Sequence, residues 1–341
     1  MIVSIEENAR LKRATMTDVA KRSNVSKATV SHVINNTRYV EAETRQRVLQ
    51  AITELGYRPN ALARSLTTQR TGIIGMVISD ASNLFFGEML LGVEQVLRPN
   101  NYGLIVCNTN EVLEQEDHYL ELLLNQRVDG IIAAATSQHW QSLTAAEIQH
   151  TPIVFVDRAF EDLAGPYVGV DNQRGAYLGT QHLIAGGHRQ IGILPGLQRL
   201  STMRERLAGF QQALQEHQID LPAEWVVYSE LSIEAGRLAT HQLFDLPSPP
   251  KAIFVNNNLL TLGALHAFKE RKVVCPSDMA LVGFDEHPWA AVSDPPLTVV
   301  HQPAHQVGHV AAEMLLGLIN GEKPAEPRLL LPCELIVRQS G

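Results

Sequence analysis

An α/β protein in two parts is the fold class the sequence predicts: a small N-terminal three-helix unit with a helix-turn-helix, then a larger two-lobed domain of parallel sheets flanked by helices. Three observations carry this. Helix-capping signals punctuate residues 15–56, short apolar runs alternate with helical patterns from Thr71 onward, and the charge changes sign between the two parts. Residues 1–70 hold 12 Lys and Arg against 6 Asp and Glu, whereas the remainder holds 16 against 30. The net charge of -8 thus conceals a cationic module on an anionic body. Such a module can neutralise phosphates while the body stays off a polyanion. With 341 residues and 45% apolar content, the chain is long enough for at least two domains.

Each element of the small unit has a local cause. Thr15-Met16-Thr17-Asp18 reads as a capping box, with the Thr15 hydroxyl covering a free amide and Asp18 returning the contact, so a helix is expected to about Arg22. Ser23-Asn24-Val25-Ser26 interrupts it with turn formers, and Ser26 is a good N-cap for a second helix from Lys27 to about Asn35. In that helix Val30, Val33 and Ile34 supply the inward side. Lys27, Ala28, Ser31 and His32 fall on the opposite, polar face. A third helix is marked by Thr44, Val48, Ala51, Ile52 and Leu55, with Gly56 where a left-handed cap belongs. Tyr57-Arg58-Pro59-Asn60 must then leave the helix, because proline pushes its predecessor into an extended conformation.

The runs TMTDVAKRSNVSKATVSHVINN and VEAETRQRVLQAITELGYRPNALARSL resemble the headpiece of the LacI/GalR family of transcriptional regulators, without a gap from Thr15 to Leu66. The likeness is nearest to members that respond to ribose and to purines. It implies that the second helix lies in the DNA major groove, with Lys27, Ala28 and His32 at base-reading positions and Thr15, Ser26, Thr29, Ser31 and Asn35 placed for phosphates or capping. The segment Asn60–Leu66 is too short to be a stable helix alone. By the same resemblance it is a hinge helix that pairs with its copy in a second subunit. Asn60, Leu62, Ala63 and Leu66 then contact the minor groove, Leu66 as an apolar wedge. The expected organisation is an N-terminal extension (1–14), the headpiece (15–58), the hinge (59–70) and an effector domain (71–341).

In that last part the expected strands are GIIGMVIS, YGLIVCN, DGIIAAA, PIVFVD, QIGILPG, EWVVY, AIFVNN and MALVGFD. Helices between them indicate parallel sheets, and some 270 residues of this pattern suit two lobes with the chain crossing between them. Ligands in such folds sit beyond the carboxyl ends of strands. The polar and aromatic residues at those places are Asn83, Phe85, Phe86, Asp157, Arg158, Arg206, Asn257, Asp285 and Gln302. Each also has an ordinary structural explanation, as a helix cap, an ion pair or a core ring. Together they describe a binder of a compact polar ring. The domain resembles periplasmic sugar-binding proteins as carried by the LacI family, which places all of these but Phe85 at effector contacts and makes Phe85 and Leu231 further pocket walls. The set looks like a pentose site, with ribose the first expectation and a purine the second. Two departures stand out: Asn258 where family members usually place aspartate, and Leu231 where an aromatic ring often stacks on the ligand.

The resemblance implies a homodimer on pseudo-palindromic double-stranded operator DNA, controlled by a small-molecule effector, with no cofactor. The end at VRQSG adds no leucine heptad that would join dimers into a tetramer. The rivals are a sugar-metabolising enzyme and a free sugar-binding protein. Against the first, the chain lacks a Walker-type phosphate loop, a dinucleotide fingerprint, a nucleophile elbow and an H-E-x-x-H metal motif. No apolar run approaches the roughly 18 residues that span a bilayer, and MIVSIEENARLKR lacks the apolar core of a secretion signal, so no membrane partner and a cytoplasmic protein are expected. Cys107, Cys275 and Cys333 are widely spaced and read as buried thiols rather than a disulfide or zinc set.

Overall fold

The computed structural model describes residues 14–57, 70–135, 151–158 and 165–341, and the chain divides into two compact units, Met1–Thr71 and Gly72–Gly341. In the first unit, helix α1 (Met16–Ser23) opens on the expected capping box: the Asp18 amide donates to Thr15 Oγ1 at 3.3 Å and the Thr15 amide to Asp18 Oδ2 at 2.9 Å. Asn24 closes α1 in the left-handed region (φ 53°). Ser26 then caps α2 (Lys27–Asn35), and Gly56 (φ 57°) ends α3 (Ala42–Leu55). Val19, Val30 and Val48 are fully buried and, with Val33, Ala51 and Tyr57, form a core shared by all three helices. Each such valine contributes about 2 kcal/mol of burial, so the unit has an apolar centre of its own.

The second unit holds two sheets. Strands β1 (Ile73–Ile78), β2 (Gly103–Asn108), β3 (Gly130–Ala133), β4 (Ile153–Val156), β5 (Tyr167–Val170) and β10 (Arg328–Leu331) form a parallel sheet in the order β10-β5-β4-β3-β1-β2. Strands β6 (Ile191–Leu194), β7 (Ala252–Val255), β8 (Ala280–Phe284), β9 (Thr298–His301) and β11 (Glu334–Ile336) form the other in the order β11-β9-β8-β7-β6, parallel except for β11 against β9. Helices α4 (Leu84–Leu97) and α5 (Leu113–Asn125) attend the first sheet. Helices α6 (Asn172–Ala185), α7 (Ser201–Glu216), α8 (Ile233–Phe244), α9 (Asn258–Arg271) and the short α10 (Pro288–Val292) lie with the second, and α11 (Ala304–Ile319) returns to pack on β3, β4 and β5. The chain therefore changes lobe at Asp171, at Gln302-Pro303 and at Pro332-Cys333. Strand-end loops of both lobes consequently face a shared cleft.

Close helix contact has a definite cause at one place. A Cβ on Gly92 of α4 would lie 1.9 Å from the His305 carbonyl oxygen of α11, and one on Gly308 would lie 2.0 Å from that of Met89, so the two backbones touch.

The strand expectations need one correction and four additions. EWVVY is not a strand: Ala223–Trp225 is a single 3-10 turn following Pro222, and Val226 makes one isolated bridge to Ile193. With Trp225 turned to donate from its indole nitrogen to the Ser248 carbonyl (2.9 Å), only that bridge remains beside edge strand β6. Strands β5, β9, β10 and β11 were not foreseen, each being only three or four residues long. Cys107 and Cys333 are buried and Cys275 half-buried, all three as free thiols. Among the described residues no helix is long and apolar enough to cross a membrane.

Candidate functional site

The outward face of α2 presents Lys27, Ala28 and Asn35 exposed, and Thr29, Ser31 and His32 half-exposed. Several of these side chains are already organised. Ser26 Oγ accepts from the Thr29 amide at 3.1 Å, Asn35 Nδ2 donates to Ser31 Oγ at 3.2 Å, and His32 Nδ1 lies 2.9 Å from the Thr37 hydroxyl. Thr15 is exposed but committed to its capping box. Lys27 is thus the exposed cation on the face, beside a methyl group from Ala28. Asn60, Leu62, Ala63 and Leu66 lie outside the described residues, as does the extension ahead of Ala14. A second cationic feature escaped the sequence reading. Asn36, Thr37, Arg38, Tyr39, Val40 and Arg45 line a hollow of about 480 Å³, with Tyr39 91% exposed and Arg45 donating to Asn36 Oδ1 at 3.1 Å. The signal was the run TRYV, where an aromatic beside an arginine interrupts a loop.

In the second unit the cleft residues come from both lobes. Asp157 ends β4 and Asp285 ends β8, and both are non-glycine residues in the left-handed region, at φ 65° and 79°. Aspartate tolerates this conformation better than most residues, and such geometry persists where the surroundings fix it. The Tyr167 hydroxyl, donating to the Asp157 carbonyl at 2.9 Å, is one such constraint. Asp285 accepts from the Asn258 amide at 3.2 Å through Oδ2 and from Gln302 Nε2 through Oδ1. Arg206, on α7, donates from Nε to Asn172 Oδ1 (2.8 Å) and from Nη1 to the Asn256 carbonyl (2.6 Å), with its guanidinium 3.6 Å from the Phe284 ring centroid.

Arg158 is only 5% exposed and is gripped by Glu111, at 2.8 Å to Nη1 and 2.5 Å to Nη2, with Ser79 Oγ 3.3 Å from Nη2. Its Nε is buried without a hydrogen-bond partner, as is Gln302 Oε1. Asn256 Oδ1 is a third such atom, so one donor and two acceptors in the network lack a hydrogen bond, although Arg158 Nε lies 3.4 Å from Asp157 Oδ2. Contacts between described residues join the lobes directly: Asn258 Nδ2 donates to Asn83 Oδ1 at 2.9 Å, and Arg199 approaches Glu111 at 3.7 Å.

Burial and charge set the protonation tendencies. Burial drives the Asp157 carboxyl above the ordinary aspartate range against the pull of Arg158 and Arg206. Burial likewise raises Glu205, although its carboxylate accepts from Asn172 Nδ2 at 3.0 Å. For Glu111 burial pushes upward too, but the hydrogen bonds and charge of Arg158 hold it below the ordinary glutamate range. The charges of Arg206 and Asp285 also act on Asp157, the arginine lowering it and the second aspartate raising it.

The expected residues do not all share this network. Asn83, Asp157, Arg158, Arg206, Asp285 and Gln302 are brought together. Phe86 instead sits in the apolar core at 4% exposed, edge-to-face with half-buried Phe85 at 5.2 Å. Leu231 is half-buried against the core of the second lobe. Asn257 spends its side-chain oxygen capping α9, accepting from the Leu259 and Leu260 amides. Glu111, Asn172, Glu205, Asn256 and His287 were not foreseen. For Asn172 and Glu205 a signal existed, since one follows β5 and the other precedes Arg206. His287 contacts Asn258 Nδ2 and stacks on Trp289, and nothing in its local sequence announced either.

Residues 15–60 match the model of the lacI family of bacterial regulatory proteins, and residues 180–341 that of a periplasmic binding protein-like domain. The chain is 35% identical over 329 residues to the HTH-type transcriptional repressor PurR of Aliivibrio salmonicida, covering 96% of this chain and 98% of that one. It is 34% identical over 327 residues to the ribose operon repressor of Haemophilus influenzae, with the same coverage. The solved lac repressor dimer bound to operator and the anti-inducer ONPF superposes with a TM-score of 0.87 at 28% identity, covering 96% of this chain and 99% of that structure. A DNA-reading headpiece ahead of a two-lobed ligand-binding domain defines the class, a ligand-controlled transcriptional regulator. The chain belongs to the lacI family of bacterial regulatory proteins, whose members similar to it are repressors and not enzymes.

Proposed function

We propose that this protein represses transcription in the cytoplasm as a homodimer on a pseudo-palindromic operator, and that a monosaccharide such as ribose, bound between the lobes, controls its affinity for DNA. Asn83, Asp157, Arg158, Arg206, Asp285 and Gln302 hold the ring, Phe85 and Leu231 wall it, and Lys27 with His32 discriminates operator bases. The observation that carries the reading is the polar network at the strand ends of both lobes, in which Gln302 and the Asn258 amide hold Asp285, and Asn258 and Arg199 reach across to Asn83 and Glu111. Carboxylates accept from hydroxyl groups, and a ring held by both lobes favours one closure over another. An orphan donor on Arg158 and an orphan acceptor on Gln302 suit hydroxyls, which can both accept and donate.

The relatives named PurR favour a purine as the second reading. Against it, Leu231 offers no aromatic face on which a planar base could stack. Calorimetric titration of the full chain with ribose, other monosaccharides, hypoxanthine and guanine separates the two. Saturable binding of a pentose supports the sugar reading, and binding of a purine alone rejects it.

A further inference from the structure

We propose that Glu111 sets the charge class of the effector: by engaging both terminal nitrogens of Arg158 it leaves a cleft that accepts a neutral polyhydroxyl compound and excludes its phosphorylated counterpart. This rests on reading the cleft as a sugar site.

A phosphate needs an available fork of donors, and a guanidinium is the usual source. Arg158 does not present one, and Arg206 presents it only in part. Arg158 gives Nη1 and Nη2 to Glu111 and Nη2 also to Ser79 Oγ, and its Nε lies 3.4 Å from an Asp157 carboxylate oxygen. Arg206 commits Nε to Asn172 and Nη1 to the Asn256 carbonyl. Against these two cations and Arg199, which meets Glu111 from the other lobe, stand Asp157, Glu205, Asp285 and Glu111. A phosphate, with about two negative charges, would meet an excess of carboxylates. The sequence stretches 136–150 and 159–164 contain no lysine or arginine that could redress the balance.

The placement of Glu111 is imposed by the fold. Asn110 and Glu111 are consecutive left-handed residues, at φ 50° and 61°. Asn108 fixes the turn by accepting from the Ala81 amide at 3.0 Å and donating to Asn110 Oδ1 at 2.8 Å. Arg199 meets Glu111 from the other lobe at 3.7 Å, so the carboxylate that neutralises Arg158 also touches the opposing wall. Glu111 is thus a specificity residue acting through Arg158.

The test is calorimetry of the full chain with ribose and with ribose 5-phosphate, for the wild type and for Glu111→Gln. Like-charge juxtaposition in a buried site is expected to make the wild type favour ribose by about 100-fold or more. Glu111→Gln, which frees Arg158 without changing shape, is expected to narrow that ratio at least about tenfold, while Glu111→Asp keeps the wild-type order. Equal affinity of the wild type for both compounds would overturn the proposal, and that comparison decides even where Glu111→Gln does not fold. An unchanged ratio in a folded Glu111→Gln protein would overturn it as well. Binding of neither compound would remove the sugar reading itself, and this inference with it.

Discussion

Replacing Asp285 in two ways separates its structural work from its ligand work. The carboxylate takes one buried hydrogen bond on each oxygen, from the Asn258 amide and from Gln302 Nε2. Asp285→Ala strands both donors, and at about 1–3 kcal/mol per unsatisfied buried group the loss is about 2–6 kcal/mol, reduced by no longer burying a charge. Asp285→Asn should behave differently. Its oxygen can keep the Asn258 amide, and its new NH2 can donate to Gln302 Oε1 after the Gln302 amide turns over, because that oxygen has no partner to lose. Stability should then fall by about 1 kcal/mol or less. A ligand hydroxyl that donates to Asp285 gains nothing from the turnover. Losing a charge-assisted hydrogen bond of about 1.5–3 kcal/mol should weaken effector binding about 10- to 150-fold. Urea denaturation of the second unit's transition and calorimetry with the effector measure the two effects. Equal destabilisation by both substitutions, or full effector affinity in Asp285→Asn, would refute the reasoning.

Three further outcomes are expected. Lys27→Ala should change the preferred operator sequence while leaving effector affinity alone; an unchanged ranking of operator variants in a binding competition would count against a base-reading role. Gly92→Ala should cost about 3 kcal/mol, because its methyl group meets the His305 carbonyl and α4 must part from α11; denaturation within about 0.5 kcal/mol of wild type would show that the contact yields. Asp157 and Glu111 respond oppositely to acid. Asp157 is raised in the fold, so its ionised form costs stability that is recovered as pH falls through its raised value. Glu111 is lowered, so its contribution is present at neutral pH and lost as pH falls below the ordinary glutamate range. Protonated Asp157 is a weaker acceptor, so effector affinity should fall with acid, and in Asp157→Asn that fall should be smaller; an identical acid profile in the variant would argue that Asp157 does not touch the ligand.

Local chemistry explains what was legible in the sequence. Thr15, Ser26 and Gly56 mark helix ends because caps act within three residues, and the long strands β1, β2 and β8 announce themselves by apolar content alone. Strand-end logic located Asp157, Asp285 and Gln302 for the same reason. What remained hidden depends on distant partners. Glu111 and Arg158 are 47 residues apart, and Asn83 and Asn258 are 175 apart, so nothing in either neighbourhood records the contact. Phe86 shows the converse problem: its position after β1 suits a pocket wall, but the helical turn of α4 rotates it into the core and leaves Phe85 at the boundary.

Control of DNA affinity by a solute in the cleft is most directly tested by fluorescence anisotropy on duplexes selected from a random library, titrated with salt and with ribose. The account predicts attachment that weakens steeply as salt rises, shifts severalfold on saturation with the effector, and vanishes when residues 1–66 are removed while effector binding stays intact. Attachment that ignores both the solute and the loss of the headpiece would contradict it.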